Sequence, residues 1–228
     1  MGLEDIMTKG KPIQPQKPLI TKEQVAEQFN NAKQISEVSP VCMGIYGDDG
    51  TGKSGVVMDC RTEEEKKEGK KIIIIDFDRS NIPLKMAYHG NDPNILIMDP
   101  MRTNEENHVD YPLSYLMTFA MVRYIKEELD PDTVKAVSID GLDTFLKMCE
   151  YVMKIEDLKV DPQIQIKNAW EWGKRNKRYF DVVELVKSLP CDKYFITHLK
   201  SISEIKNGEL VSNTTTIPPL QGQTYVRM

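Results

Sequence analysis

Lys71 to Asp76 reads K-I-I-I-I-D. Four successive isoleucines leave no polar alternation, so a strand that carries them must bury both faces. That arises in a parallel sheet covered by helices on each side. Asn94 to Asp99, N-I-L-I-M-D, repeats the pattern. Val41 to Tyr46, Val134 to Asp140 and Lys193 to Thr197 (K-Y-F-I-T) supply three more short apolar strands. Helical stretches separate them. One runs from about Lys53 to Glu64, one from Pro112 to Asp130, one carries Leu142, Phe145, Leu146, Cys149 and Met153, and one spans roughly 168 to 189. The sequence therefore predicts an α/β domain with a mainly parallel central sheet flanked by helices. Asn207-Gly208, between Ile205 and Val211, adds a C-terminal β-hairpin region. There is no internal repeat.

Residues 1 to 20 read differently. Pro12, Pro15 and Pro18 fall beside Lys9, Lys11 and Lys17. Proline at that density blocks helix and ladder, which predicts an extended or disordered arm. Thr21 with Gln24 forms a capping box for the next helix, whose stripe is Val25, Phe29 and Ala32. Residues 21 to 228 are expected to form one domain.

Gly47-Asp48-Asp49-Gly50-Thr51-Gly52-Lys53-Ser54 matches G-x-x-x-x-G-K-[ST], the P-loop or Walker A pattern. A strand ends just before it and a helix begins at its lysine, as the pattern requires. The glycines, with Gly55 behind them, let the backbone curl so that successive N–H groups face phosphate oxygens. The start of the helix adds positive potential. Lys53 reaches the β- and γ-phosphates of a nucleotide such as ATP, and the Ser54 hydroxyl takes Mg²⁺. Asp48 and Asp49 occupy variable positions, where their side chains point to solvent. A second acid is needed on the Mg²⁺ side, and Asp140, closing A-V-S-I-D, fits. Two predicted strands lie between loop and acid. Gly141 follows Asp140, so the common Asp-Glu pair is absent and a hydrolytic base must come from elsewhere.

These motifs resemble the RecA-like P-loop NTPases, most closely the small phage-type versions linked to single-strand annealing and recombination, over about residues 40 to 228. The resemblance implies roles residue by residue. I-I-I-I-D-F-D-R is similar to the family strand whose end bears a catalytic glutamate, which makes Asp78 the general base, one methylene shorter than usual. A-V-S-I-D-G-L-D-T-F resembles the Walker B strand. Tyr194 to Lys200 resembles the fifth strand with its sensor, where His198 stands for the usual amide and would contact the γ-phosphate. Lys200 is either a surface lysine or a group that completes a neighbouring subunit's site. Ser201 to Gln223, with Asn213, Thr214, Thr215 and Thr216, corresponds to a mobile DNA-contacting loop. Tyr225 to Met228 resembles the start of a last strand. The implied protein binds and hydrolyses Mg-ATP, acts on single-stranded DNA in recombination, annealing or replication, and works as a homo-oligomeric ring or filament.

Composition sets limits on this. Lys and Arg number 30 against 35 Asp and Glu, a net charge of −5, which argues against coating nucleic acid by bulk charge. Residues 167 to 178 nevertheless carry Lys167, Lys174, Arg175, Lys177 and Arg178 against Glu171 alone, with Trp170, Trp172 and Tyr179 interleaved. Such a stretch is either a surface for single-stranded DNA or an amphipathic helix with a solvated basic face and core tryptophans. Two other functions compete. A nucleotide or small-molecule kinase would want an arginine-rich lid, and only seven arginines occur. A nucleotide-binding assembly or DNA-packaging module with little hydrolysis is compatible with Gly141 and with Asp78. Glu4 and Asp5 do not suit a signal peptide, and no stretch approaches the ~18 apolar residues of a membrane span. Cys42, Cys60, Cys149 and Cys191 are widely spaced, as expected for buried thiols in a cytoplasmic protein with no membrane partner.

Overall fold

The computed structural model describes residues 21–34, 39–166, 169–198, 200–206 and 209–217. The arm at 1–20, Lys167, the Asn207-Gly208 turn and the segment 218–228 lie outside the described residues. The chain divides into two units between Ser39 and Pro40. In the first, helix α1 (Lys22–Gln34) opens on the expected capping box. The Gln24 N–H donates to Thr21 Oγ1 at 3.2 Å, and the Thr21 N–H donates to Gln24 Oε1 at 2.9 Å.

The second unit alternates strand and helix. It runs β1 (Cys42–Gly47), α2 (Lys53–Met58), α3 (Glu63–Lys67), β2 (Lys71–Asp76), α4 (Asn81–Tyr88), β3 (Ile95–Met98) and α5 (Tyr111–Glu128). β4 (Val134–Asp140), α6 (Leu142–Val152), α7 (Trp172–Lys187) and β5 (Asp192–His198) follow. A two-stranded antiparallel hairpin, β6 (Lys200–Lys206) and β7 (Glu209–Ile217), ends the described chain, longer than the Ile205–Val211 expected from its turn.

β1 to β5 form one sheet in the order β1-β5-β4-β2-β3, and every pairing is parallel. β5 thus stands between the strand that leads into the glycine-rich loop and the strand that ends at Asp140. Ile72 and Ile74 face one side with Val57, Met58, Ile95, Ala136, Tyr194 and Ile196. Ile73 and Ile75 face the other, where Phe145, Tyr179, Val183 and Phe195 build the larger core under α5, α6 and α7. All four isoleucines are 0–1% exposed, so each contributes about 1.5–3 kcal/mol of apolar burial. The double-sided burial read from the unbroken run is met.

Local chemistry moved several boundaries. The helix expected over Lys53 to Glu64 is two helices. Thr62 starts the second with a capping box, accepting from the Glu65 N–H while the Glu65 carboxylate accepts from the Thr62 N–H. Helix α4 was not anticipated, although Pro83 in its first turn suits a helix start. Cys42, expected to be buried, is exposed on β1, while Cys149 and Cys191 are buried; all four thiols are free. Among the described residues no helix is long and apolar enough to cross a membrane.

Candidate functional site

In a parallel sheet the carboxyl ends of the strands share one rim, and ligands bind there. Gly47, Asp76, Asp140 and His198 close β1, β2, β4 and β5 on that rim. The residues predicted separately along the chain therefore meet.

The loop from Gly47 to Gly52 links β1 to α2. Gly52 has a φ of 82°, a left-handed conformation that a side chain would strain. Thr51 Oγ1 donates to the Asp48 carbonyl at 2.8 Å and ties the loop to itself. Asp48 and Asp49 are exposed, and so are Gly50, Thr51 and Gly52. Lys53 is only 9% exposed. Its ammonium donates to the Gly47 carbonyl at 3.0 Å and to the Asp48 carbonyl at 2.7 Å, with no ion pair among the described residues. A nearly buried cation that meets only carbonyl dipoles is a strong attractor for an anion.

Ser54 Oγ donates to Asp140 Oδ2 at 2.6 Å, so the two residues assigned to Mg²⁺ touch each other. Asp140 is 3% exposed, and Asp76 beside it is 1% exposed. The set is a hydroxyl and two carboxylates, all hard oxygen donors, and one buried oxygen, Asp76 Oδ1, has no hydrogen-bond partner. That chemistry fits a small hard cation such as Mg²⁺ and not a soft one.

Asp78 follows the end of β2, and its carboxylate crosses to the start of α6. Thr144 Oγ1 donates to Asp78 Oδ1 at 2.8 Å. Gly141 explains the missing glutamate. Its φ is 83°, and a Cβ placed there would lie 2.6 Å from Asp78 Oδ1. A side chain at 141 would therefore need both a left-handed backbone and a displaced Asp78 carboxylate. Burial raises the Asp78 carboxyl above the ordinary 3.8, and the neighbouring Asp143 and Asp140 charges add to the rise against Thr144 and His198, which lower it. His198 sits among carboxylates: Nε2 is 3.0 Å from Asp49 Oδ1, and Nδ1 is 3.7 Å from both Asp78 Oδ2 and Asp143 Oδ1. Gly141→Ala is expected to lower the melting temperature, because the left-handed backbone costs a non-glycine residue about 1–2 kcal/mol before the Asp78 clash. Thermal unfolding followed by circular dichroism measures it.

These groups line one cavity of about 1160 Å³, room enough for a nucleoside triphosphate. Its wall includes Gly50 to Gly55, Asp78, Asp140 and His198, and also Val56, Leu84, Tyr88 and His89, which sequence reasoning did not mark. Asn81 was missed as well. It is fully buried, its side-chain amide donates to Asp140 Oδ2 at 2.8 Å, and its N–H donates to Asp76 Oδ2 at 2.9 Å.

The basic segment is more neutral than its sequence suggests. Arg178 pairs with Glu156 at 2.9 Å and Asp157 at 3.0 Å, and Lys177 with Asp181 at 2.7 Å. Arg175 lies over the Trp172 ring, 4.5 Å from its centroid. Tyr179 is buried in the core, but Trp170 is not the core tryptophan expected: it is 69% exposed, with Lys174 5.4 Å above its ring. Trp170 sits in the 3₁₀ turn Ala169–Glu171 that precedes α7.

No protein-family model matches the chain, and neither does any curated protein.

Proposed function

We propose that this chain is a RecA-like P-loop NTPase that binds and hydrolyses Mg-ATP and acts on single-stranded DNA, of the phage-type recombination and annealing kind, working as a homo-oligomer. One observation carries the nucleotide reading. The Lys53 ammonium, nearly buried and without an anionic partner, stands in the same cavity as the Ser54–Asp140 pair and the Asp78 carboxyl. The loop N–H groups and Lys53 would hold the β- and γ-phosphates, and Ser54 and Asp140 would hold Mg²⁺, which neutralises phosphate charge when bound. Val56, Leu84 and Tyr88 offer an apolar surface for the base.

In hydrolysis a water oxygen bonds to the γ-phosphorus while the bond from that phosphorus to the β,γ-bridging oxygen breaks, leaving ADP and inorganic phosphate. Asp78 orients that water and accepts its proton. His198 would donate to the γ-phosphate and register its departure. The strand order favours this reading over a small-molecule kinase. In such kinases the acidic strand adjoins the loop strand, whereas here β5 separates β1 from β4.

The DNA reading is supported by Trp170, exposed with Lys174 above its ring, a pairing able to stack a base beside a phosphate. ATP turnover measured with and without single-stranded DNA tests both halves. Steady hydrolysis is expected to rise on adding DNA, and the rise to shrink in a Trp170→Ala, Lys174→Ala double variant while basal turnover holds. Phosphate transfer to a nucleoside would replace this function with a kinase; binding without turnover would replace it with an assembly or packaging module.

A further inference from the structure

Asp76 and Asp140 end neighbouring strands at the same level and are register partners across the β2–β4 ladder. Both are almost inaccessible, at 1% and 3%, and neither makes an ion pair among the described residues. Two carboxylates held side by side out of water repel each other, and the arrangement is costly unless something else fixes it. What fixes it is Asn81, also fully buried. Its backbone N–H donates to Asp76 Oδ2 at 2.9 Å and its side-chain Nδ2 donates to Asp140 Oδ2 at 2.8 Å, so one residue holds both acids. The same Asp140 oxygen accepts from Ser54 at 2.6 Å. Two acceptors in this group stay unused, Asp76 Oδ1 and Asn81 Oδ1; both are buried and lack a hydrogen-bond partner among the described residues. A third, Ser138 Oγ, lies two residues before Asp140 on the same strand face and is also unpartnered. Buried polar atoms rarely remain unsatisfied without a role.

We propose that Asp76 and Asn81 are positioning residues for the divalent cation: Asp76 sets Asn81, and Asn81 aims the Asp140 carboxylate. A cation held by Asp140 also gives this buried pair of carboxylates its counter-charge. The inference rests on the Mg-nucleotide reading of the cavity.

The test is calorimetric titration of a slowly hydrolysed ATP analogue at a series of Mg²⁺ concentrations, for wild type, Asn81→Ala and Asp76→Asn. Affinity without Mg²⁺ is expected to stay within about twofold of wild type, because neither residue lines the cavity. The Mg²⁺ concentration for the half-maximal gain in affinity is expected to rise by about 10–100-fold, the usual loss when an outer partner of a metal ligand is removed. Asp76→Asn keeps an acceptor for the Asn81 N–H and carries the test should Asn81→Ala not fold. A wild-type Mg²⁺ dependence in folded variants overturns the inference and leaves the nucleotide site standing. A wild-type protein that binds no nucleotide at any Mg²⁺ concentration overturns both.

Discussion

Lys53→Ala is expected to abolish measurable ATP turnover, a loss on the order of 10²–10³-fold or more, as for other preorganised charge stabilisers. The size follows from the setting. Lys53 is 9% exposed and its ammonium is bound by the Gly47 and Asp48 carbonyls alone. A cation held there, out of bulk water, interacts far more strongly with phosphate than a surface lysine would. Alanine also strips two carbonyls of their donor, so the loop itself could rearrange. Lys53→Met, which keeps the length without the charge, separates the two effects. It should match alanine in turnover if charge is what matters. Steady-state phosphate release, with circular dichroism to show that each variant folds, measures the outcome. Retained turnover in both variants would remove the loop lysine from the chemistry.

Asp78→Asn is expected to lose most turnover, on the order of 10²–10⁴-fold for removal of a general base, while ATP affinity is kept. The same change is expected not to lower stability at neutral pH. Asp78 has its folded pKa raised, chiefly by burial. Its stabilising share is fully present below the unfolded pKa and is lost as pH rises through the folded one. Above the folded pKa the ionised carboxylate is therefore a burden on the fold, which asparagine removes while still accepting from Thr144. Activity and melting temperature should accordingly move apart, a pattern that a structural acid would not give. The pH profile of the wild type carries the same sign: its acid limb should lie above the 3.8 of an ordinary aspartate. Unchanged turnover in Asp78→Asn would take Asp78 out of the mechanism.

How much of this was legible beforehand depends on how local the cause was. The isoleucine run of β2 and the glycine-rich loop declare themselves, because backbone burial and tight turning constrain composition within a few residues. The meeting of Lys53, Ser54, Asp78, Asp140 and His198 in one cavity was legible through strand ends, since all parallel strands finish on one rim. Gly141 was read only as a missing glutamate. Its reason, the Asp78 carboxylate standing where a Cβ would be, needs two strands in register. Asn81 was missed because asparagine after a strand usually means a turn. Only the pairing of Asp76 with Asp140 makes it a buried bridge. The basic segment misled for the opposite reason: Glu156 and Asp157, which neutralise Arg178, lie some twenty residues earlier and reach it through the packing on α7 of the π-helical turn Met153–Leu158 that continues α6.

The position of β1 has a consequence for the order in which the molecule is made. β1 pairs with β5, so Cys42 meets Lys193 and Gly47 meets His198. Every other strand of the sheet finds a partner much nearer in sequence, β2 with β3 and β4 with β5. Long-range pairing of this kind is slow because loop closure precedes any reward. On a ribosome the glycine-rich loop emerges ahead of β5, and its strand has no seat among the described residues until some 150 residues later. A chain halted before Asp192 would carry the whole loop sequence and lack the strand that holds it. The glycine-rich loop and the strand that seats it are thus separated by some 150 residues of chain, so the loop gains its sheet support only once β5 exists.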